Sequence, residues 1–250
     1  MPSSDTPKIT LHWLERSRAQ RILWLLEETN VPYEIKTYKR APNQVAPPEL
    51  KAVHPLGKSP VLTIGDMNLA ESALIVEYLC EHFGPHLIPT KWKPGCEGKV
   101  AGESEAYMRH RYFMHYAEGS LFPLIFTWIL ANGIRNAPVP FFIRPITSRV
   151  SGYISTEYLD PNFATTFAFL EDQLASAPDG GPYLCGNAIT GADILMSFPV
   201  MVILSEMGER GPKKQTFPKL FAYVDALKTS ESFKRAVDKI VALEGEYVLI

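Results

Sequence analysis

The chain is poor in the features that mark specialised protein classes. It has only three cysteines in 250 residues, Cys80, Cys96 and Cys185, with no C-x-x-C and no metal-ligand doublet. That spacing argues against a disulfide framework or a zinc module, and it fits structural thiols in a reducing, cytoplasmic compartment. His82 and His86 have i, i+4 spacing, but Gly84-Pro85 stands between them and ends the helix, so no metal site is expected. Excess charge is also lacking: the formal net charge is -2 and the Lys and Arg are dispersed. Binding to a phosphate backbone needs a concentrated basic surface, so nucleic acid is not expected as a partner. The longest apolar segment, 121–134, carries Pro123 and Asn132 and falls short of the ~20 residues of a membrane span. Membrane association is therefore not supported, and the start MPSSDTPKIT shows no apolar core of a secretory signal.

What is present suits a soluble globular chain. A hydrophobic share of 46% against 21% charged residues, at this length, allows burial of about 70 to 75% of the unfolded surface. Residues 9–14, ITLHWL, alternate like a strand, and Ser17 opens a helix pattern with apolar residues at 19, 22, 23, 25 and 26. A second strand at 33–39 completes a βαβ unit that should be parallel and right-handed. A polar loop, 41–48, and a short helix, PELKAV, lead to strands near 60–64 and 68–70, turned at Gly65-Asp66, and then a helix to Phe83.

Gly and Pro cluster between 84 and 98, which reads as a linker. Beyond it no strand pattern is visible. One long helix is predicted from Glu97 to about Asn132 with a kink at Pro123, then irregular chain over 137–146 and a helix to about Leu159. Further helices are predicted at 162–177, 191–207, 217–229 and 231–242. Thr190 and Asp193 form a capping box before the apolar run LMSFPVMVI, which should be the central buried helix. The domain reading is 1–84 for the α/β part, 85–98 for the linker and 99–250 for an all-helical part.

The stretch 54–81, HPLGKSPVLTIGDMNLAESALIVEYLCE, carries the clearest chemistry. Pro60 leads an apolar β-branched run and cannot donate to a ladder, so Ser59 before it is extended with free backbone groups. Glu71 and Ser72 set a carboxylate and a hydroxyl at a helix start whose N–H groups favour an anion. Together these suit a small zwitterionic ligand, while a plain helix cap remains the alternative for Glu71-Ser72.

The motifs LGKSPVL and AESALIVEYL on a thioredoxin-like α/β domain, a short linker, and a helical domain with a T-G-A-D cap resemble a cytosolic glutathione transferase. LHWLERSRAQRILWLLEE and YKR-APN-APPELKAVHPLGKSPVL are similar to the yeast and fungal Gtt-type branch. The resemblance implies an α+β two-domain chain with the glutathione transferase fold and a cis peptide at Pro60. It also implies glutathione as co-substrate, no other cofactor, and homodimerisation. By that analogy Ser59, at Pro60, meets the cysteinyl backbone of glutathione. Glu71 takes the ammonium, Ser72 the α-carboxylate of the γ-glutamyl end, and Lys58 the glycyl carboxylate.

Ser17 is the candidate catalytic hydroxyl. Lowering a thiol from about 8.5 by two units takes ~2.7 kcal/mol, which a hydroxyl donor at a helix start can supply. Ser17 as an ordinary N-cap stays open. In that case backbone amides, Arg16, Arg18 or a residue of the long helix would hold the thiolate. On that helix Tyr107, Arg111 and His115 share one stripe at i, i+4, i+8. The resemblance makes them, with Trp13, Phe113 and Trp128, candidate walls of a pocket for a hydrophobic co-substrate; an interdomain or subunit contact is the alternative. The expected activity is conjugation of glutathione to hydrophobic electrophiles, with reduction of organic hydroperoxides as a second activity. A binder of glutathione or hydrophobic ligands without turnover, and an interaction subunit, are the rivals.

Overall fold

The computed structural model describes residues 7–43 and 45–250. The first six residues, on which part of the leader reading falls, and Gln44 of the 41–48 loop lie outside the described residues. β1 (Ile9–Leu14), α1 (Ala19–Thr29) and β2 (Glu34–Tyr38) form the expected βαβ unit, with the strands parallel from Thr10 opposite Glu34 to Leu14 opposite Tyr38. β3 (Val61–Ile64) and β4 (Met67–Ala70) form a hairpin. Gly65 turns it with a φ of 56°, a region that glycine enters without steric cost. β3 pairs antiparallel with β1, so the sheet runs β2-β1-β3-β4. His12 ties three of the four strands together, β1 to the edge strand β2 and to β3: Nδ1 lies 2.9 Å from the Tyr38 hydroxyl and Nε2 lies 2.8 Å from Thr63 Oγ1. Burial, then the Lys36 charge, lower its pKa and favour the neutral ring that this pairing uses.

α2 (Ser72–Phe83) ends the strand-bearing part, and the elements beyond the connecting segment are helices joined by loops. The predicted long helix begins later than its sequence suggested. α3 (Glu105–Tyr116) starts at Ser104, whose hydroxyl accepts the Tyr107 N–H at 3.1 Å. Residues 97–104 are instead held as loop by a bridge between Trp92 and Glu103, with Ala101 at a φ of 62°. The kink takes the form of a π-turn, Ala117–Leu121, before α4 (Phe122–Arg135). Pro123 has no N–H to return to residue 119, and widening the preceding turn absorbs the lost bond. The same device joins α5 (Arg144–Ile154) to α6 (Asp160–Ala175): a π-turn at Ser155–Leu159 precedes Pro161. The boundary predicted between those helices is therefore absent.

α7 (Gly191–Ser205) is the central helix, buried on nearly every side. Its capping box is complete, with the Thr190 N–H on Asp193 Oδ2 at 2.9 Å and the Asp193 N–H on Thr190 Oγ1 at 3.4 Å. Asp193 also accepts the Leu184 N–H and the Tyr223 hydroxyl, which compensates a fully buried carboxylate. α8 (Pro218–Thr229) and α9 (Glu231–Glu244) complete the fold. α1 lies between α2, α7 and α9, so Gln20, Arg21 and Glu27 are buried along with its apolar residues. The sheet domain and the helical domain thus share one hydrophobic core.

Candidate active site

Two left-handed residues flank the site. Arg16, at a φ of 48°, precedes Ser17 in the β1–α1 turn, and Glu71, at a φ of 70°, precedes Ser72 at the start of α2. Such backbone costs on the order of 1 to 3 kcal/mol in a residue with a Cβ and concentrates at functional sites. Arg16 is held there by its carbonyl, which accepts from Arg40 Nη2 at 3.0 Å.

Ser17 is 6% exposed. Its hydroxyl donates to the Leu14 carbonyl at 2.6 Å and accepts the Ala19 N–H at 3.2 Å. It also lies 3.1 Å from the Ser59 hydroxyl, across the sheet. Arg18, not Ser17, occupies the position before α1. Ser17 therefore supplies one cap-like bond, to the Ala19 N–H, from a residue ahead of the cap position, and neighbours the loop that carries Ser59.

That loop delivers the remaining residues. Ser59 stands just before β3, whose pairing with β1 begins at Val61 opposite His12, and the Ser59-Pro60 peptide is cis. Lys58 and Glu71 are exposed, whereas Pro60 is buried. Ser72 is only 2% exposed, and its hydroxyl is a buried group with no hydrogen-bond partner among the described residues. A buried hydroxyl left unpaired costs about 1 to 3 kcal/mol, and a helix N-terminus is where an acceptor group could satisfy it. Neither Glu71 nor Ser72 caps α2 with its side chain. His54 Nδ1, in the same loop, is likewise buried without a partner among the described residues. The sequence reading passed over it because an isolated histidine in a polar loop carries no pattern.

The second domain enters through one carboxylate that the sequence reading did not single out. Glu118 lies in the π-turn and accepts from Arg18 Nη1 at 2.6 Å and from Arg21 Nη2. The Arg18 guanidinium also stacks 4.5 Å from the Phe122 ring centroid. Arg21 is fully buried and donates to the Leu195 carbonyl at 2.8 Å. Burial lowers its pKa to about 10, partly offset by Glu118, so it stays charged. This network fixes the first turn of α1, and with it Ser17, against the π-turn, α4 and α7.

The other candidates divide. Arg111 and His115 are exposed on α3, and Tyr107 is half-buried with the Lys91 ammonium 5.9 Å from its ring. Trp13, expected as a pocket wall, is placed in the core at 1% exposure, and its Nε1 donates to Glu244 Oε1 at 2.7 Å. A strand residue facing α9 has no free surface to offer. Phe113 is also core, while Trp128 is partly buried against it. The buried thiols are inert: burial pushes Cys80 up to about 12 and raises Cys185 further.

A thioredoxin-like domain joined through its first helix to an all-helical domain is the architecture of a class of two-domain transferases. Comparison with known proteins is consistent with this. The profile of the glutathione S-transferase N-terminal domain matches residues 7–81, and that of the C-terminal domain matches residues 153–238. Glutathione S-transferase 1 of Saccharomyces cerevisiae is 32% identical over 96% of this chain and 99% of its own length. Glutathione S-transferase 3 of Schizosaccharomyces pombe is 35% identical over 82% of this chain and 78% of its own. Among solved structures, a glutathione S-transferase from Actinobacillus pleuropneumoniae is 28% identical with a TM-score of 0.63, covering 93% of this chain and 92% of that one. A glutathione transferase from Phanerochaete chrysosporium, solved with oxidized glutathione, shares the fold with a TM-score of 0.69 at 18% identity, over 98% of this chain and all of that one. The chain belongs to the glutathione S-transferase family, in its fungal Gtt-type branch.

Proposed function

We propose that this chain is a glutathione transferase in which the glutathione thiolate attacks hydrophobic electrophiles and, as a second activity, reduces organic hydroperoxides. The observation that carries the reading is the buried, unpartnered Ser72 hydroxyl at the N-terminus of α2, beside the exposed Glu71 carboxylate. Ser72 and the helix N–H groups take the γ-glutamyl carboxylate, Glu71 the ammonium, Ser59 the cysteinyl backbone and Lys58 the glycyl carboxylate. No cofactor beyond glutathione is needed.

Ser17 is the group assigned to the sulfur. Its hydroxyl has only to exchange the neutral Leu14 carbonyl for an anionic acceptor, and a hydrogen bond to a charged partner is roughly twice as strong. The Leu14 bond also favours the rival reading, a binder without turnover, because a donor already engaged gives a thiolate nothing until it swings. Tyr107, Arg111 and His115 are assigned to the co-substrate side. A panel of electrophiles and hydroperoxides tests the reading. Glutathione-dependent turnover of at least one supports it, and retention on immobilised glutathione with turnover of none would make the chain a carrier.

We assign the chain to the cytoplasm, in keeping with its three free cysteines. We also assign it a homodimeric state. Met67, Leu74, Met108 and Tyr112 expose apolar surface on β4, α2 and α3, which a second copy would cover. Sedimentation at twice the 28.0 kDa chain mass is expected, and a monomer would contradict it.

A further inference from the structure

Residues 244–249 form a strap that runs back from α9 along the turn carrying Ser17. Trp13 Nε1 donates to Glu244 at 2.7 Å, Arg16 pairs with Glu246 at 3.6 Å, and Gln20 Nε2 donates to the Val248 carbonyl at 2.6 Å. Positions 13, 16 and 20 thus meet positions 244, 246 and 248 in order, with Ser17 between the second and third ties. Tyr247 and Leu249 face inward, where both border a small void of about 10 Å³ next to Gln20 and Arg21.

The strap is also one wall of a larger cavity. Between it, the end of α7 and α8 lies a space of about 440 Å³. That is within the ~300 to 1,000 Å³ of small-molecule sites. Leu204, Phe221, Val224 and Tyr247 give it apolar and aromatic walls. No residue of the β1–α1 turn, of 54–72 or of α3 lines it, so it is separate from the glutathione cradle. Its rim charges compensate one another. Glu206 and Asp225 stand against Lys228, and Lys214 lies 3.9 Å from Asp225. With two carboxylates and two ammonium groups there is little net field to select a charged molecule. The apolar walls then decide what enters.

We propose that this cavity is a second binding site, for uncharged aromatic molecules, and that its occupancy is transmitted to the Ser17 turn through the strap. A molecule seated on Tyr247 and Val248 changes the packing of the segment that ties Arg16 and Gln20. By linkage, glutathione must change the affinity for that molecule by the same factor as the molecule changes the affinity for glutathione.

The test uses N-phenyl-1-naphthylamine, an uncharged fluorescent aromatic, on the full chain with saturating glutathione. Saturable fluorescence enhancement is expected. Val224→Trp and Ser205→Trp, which fill the cavity from its wall and its rim, should each weaken probe binding at least tenfold. Ser205 is exposed, so its variant should fold even where the Val224 variant does not. Calorimetry should show glutathione affinity shifted at least twofold by saturating probe in the wild type and unshifted in Ser205→Trp. Absence of binding, binding that Ser205→Trp retains, or binding that S-hexylglutathione displaces, would overturn the site. Binding lost in Ser205→Trp with no shift in wild-type glutathione affinity would overturn the coupling.

Discussion

The hydroxyl oxygens of Ser17 and Ser59 stand 3.1 Å apart although 42 residues separate them in the chain. One belongs to the turn after β1 and the other to the loop before β3, and the antiparallel pairing of those strands brings the two loops together. Under the proposed reading, a peptide held by its backbone at Ser59 would have Ser17 within reach of its side chain.

Replacing Ser17 by Ala tests that juxtaposition. Conjugation should fall at least tenfold, about 1.4 kcal/mol of transition-state stabilisation, with glutathione KM nearly unchanged. Loss of a cap alone would lower stability and leave kcat intact, so thermal unfolding and kinetics on the same variant separate the two roles.

For Ser72→Ala the expectation is a weakened site on an unweakened fold. Its hydroxyl has no partner among the described residues, so removing it should leave the melting temperature unchanged or raise it slightly. Glutathione affinity, measured by calorimetry, should fall by a factor on the order of 10 to 100, because the lost bond is to a carboxylate. Glu71→Ala should likewise raise the glutathione KM, and a wild-type KM in that variant would remove Glu71 from the cradle.

Glu118→Gln should be costly to the fold. It leaves Arg21, whose side chain has no exposed surface, without its carboxylate. Stripping one partner from a buried pair typically costs about 3 to 5 kcal/mol, read here as a lower urea midpoint. Adding Arg21→Met should recover part of the loss, since the uncompensated charge is then gone.

A pH dependence follows from His110, which is buried with Nε2 unpartnered. Burial first, then the Arg111 charge, depress it from 6.5 to about 4. The unfolded chain therefore binds the extra proton first. Stability from this residue is full above pH 6.5 and is lost as pH falls toward 4, by about 3 kcal/mol. His110→Gln should flatten that part of the stability profile, and an equal acid slope in both proteins would refute the assignment.

The sheet, and the placement of Ser59, Pro60, Glu71 and Ser72 at a strand start and a helix start, were largely legible in the sequence. Strand alternation, Pro60 and the Glu71-Ser72 helix start are local signals, and the fold places them where those signals point. What was not legible depends on tertiary packing. No pattern marks Arg16 and Glu71 as left-handed, because neither is Gly or Asn. Trp13 looked like a pocket wall because a strand aromatic reads the same whether it faces a cleft or α9. Glu118 was missed because its meaning arises only when a π-turn, forced by Pro123 two residues past it, swings it toward Arg18 and Arg21. The late start of α3 escaped for a similar reason: residues 97–104 have no strong breaker beyond glycine, and a bridge to Trp92 keeps them out of the helix.

The central claim is that this chain holds glutathione with its sulfur ionised. Titrating the thiolate ultraviolet absorbance of bound glutathione against pH measures that directly. The wild type should show a midpoint about two units below the value of about 8.5 for a free cysteine thiol, and Ser17→Ala should move it back toward that value. A midpoint at the free value in the saturated wild-type complex would contradict the account and leave a binder in place of a transferase.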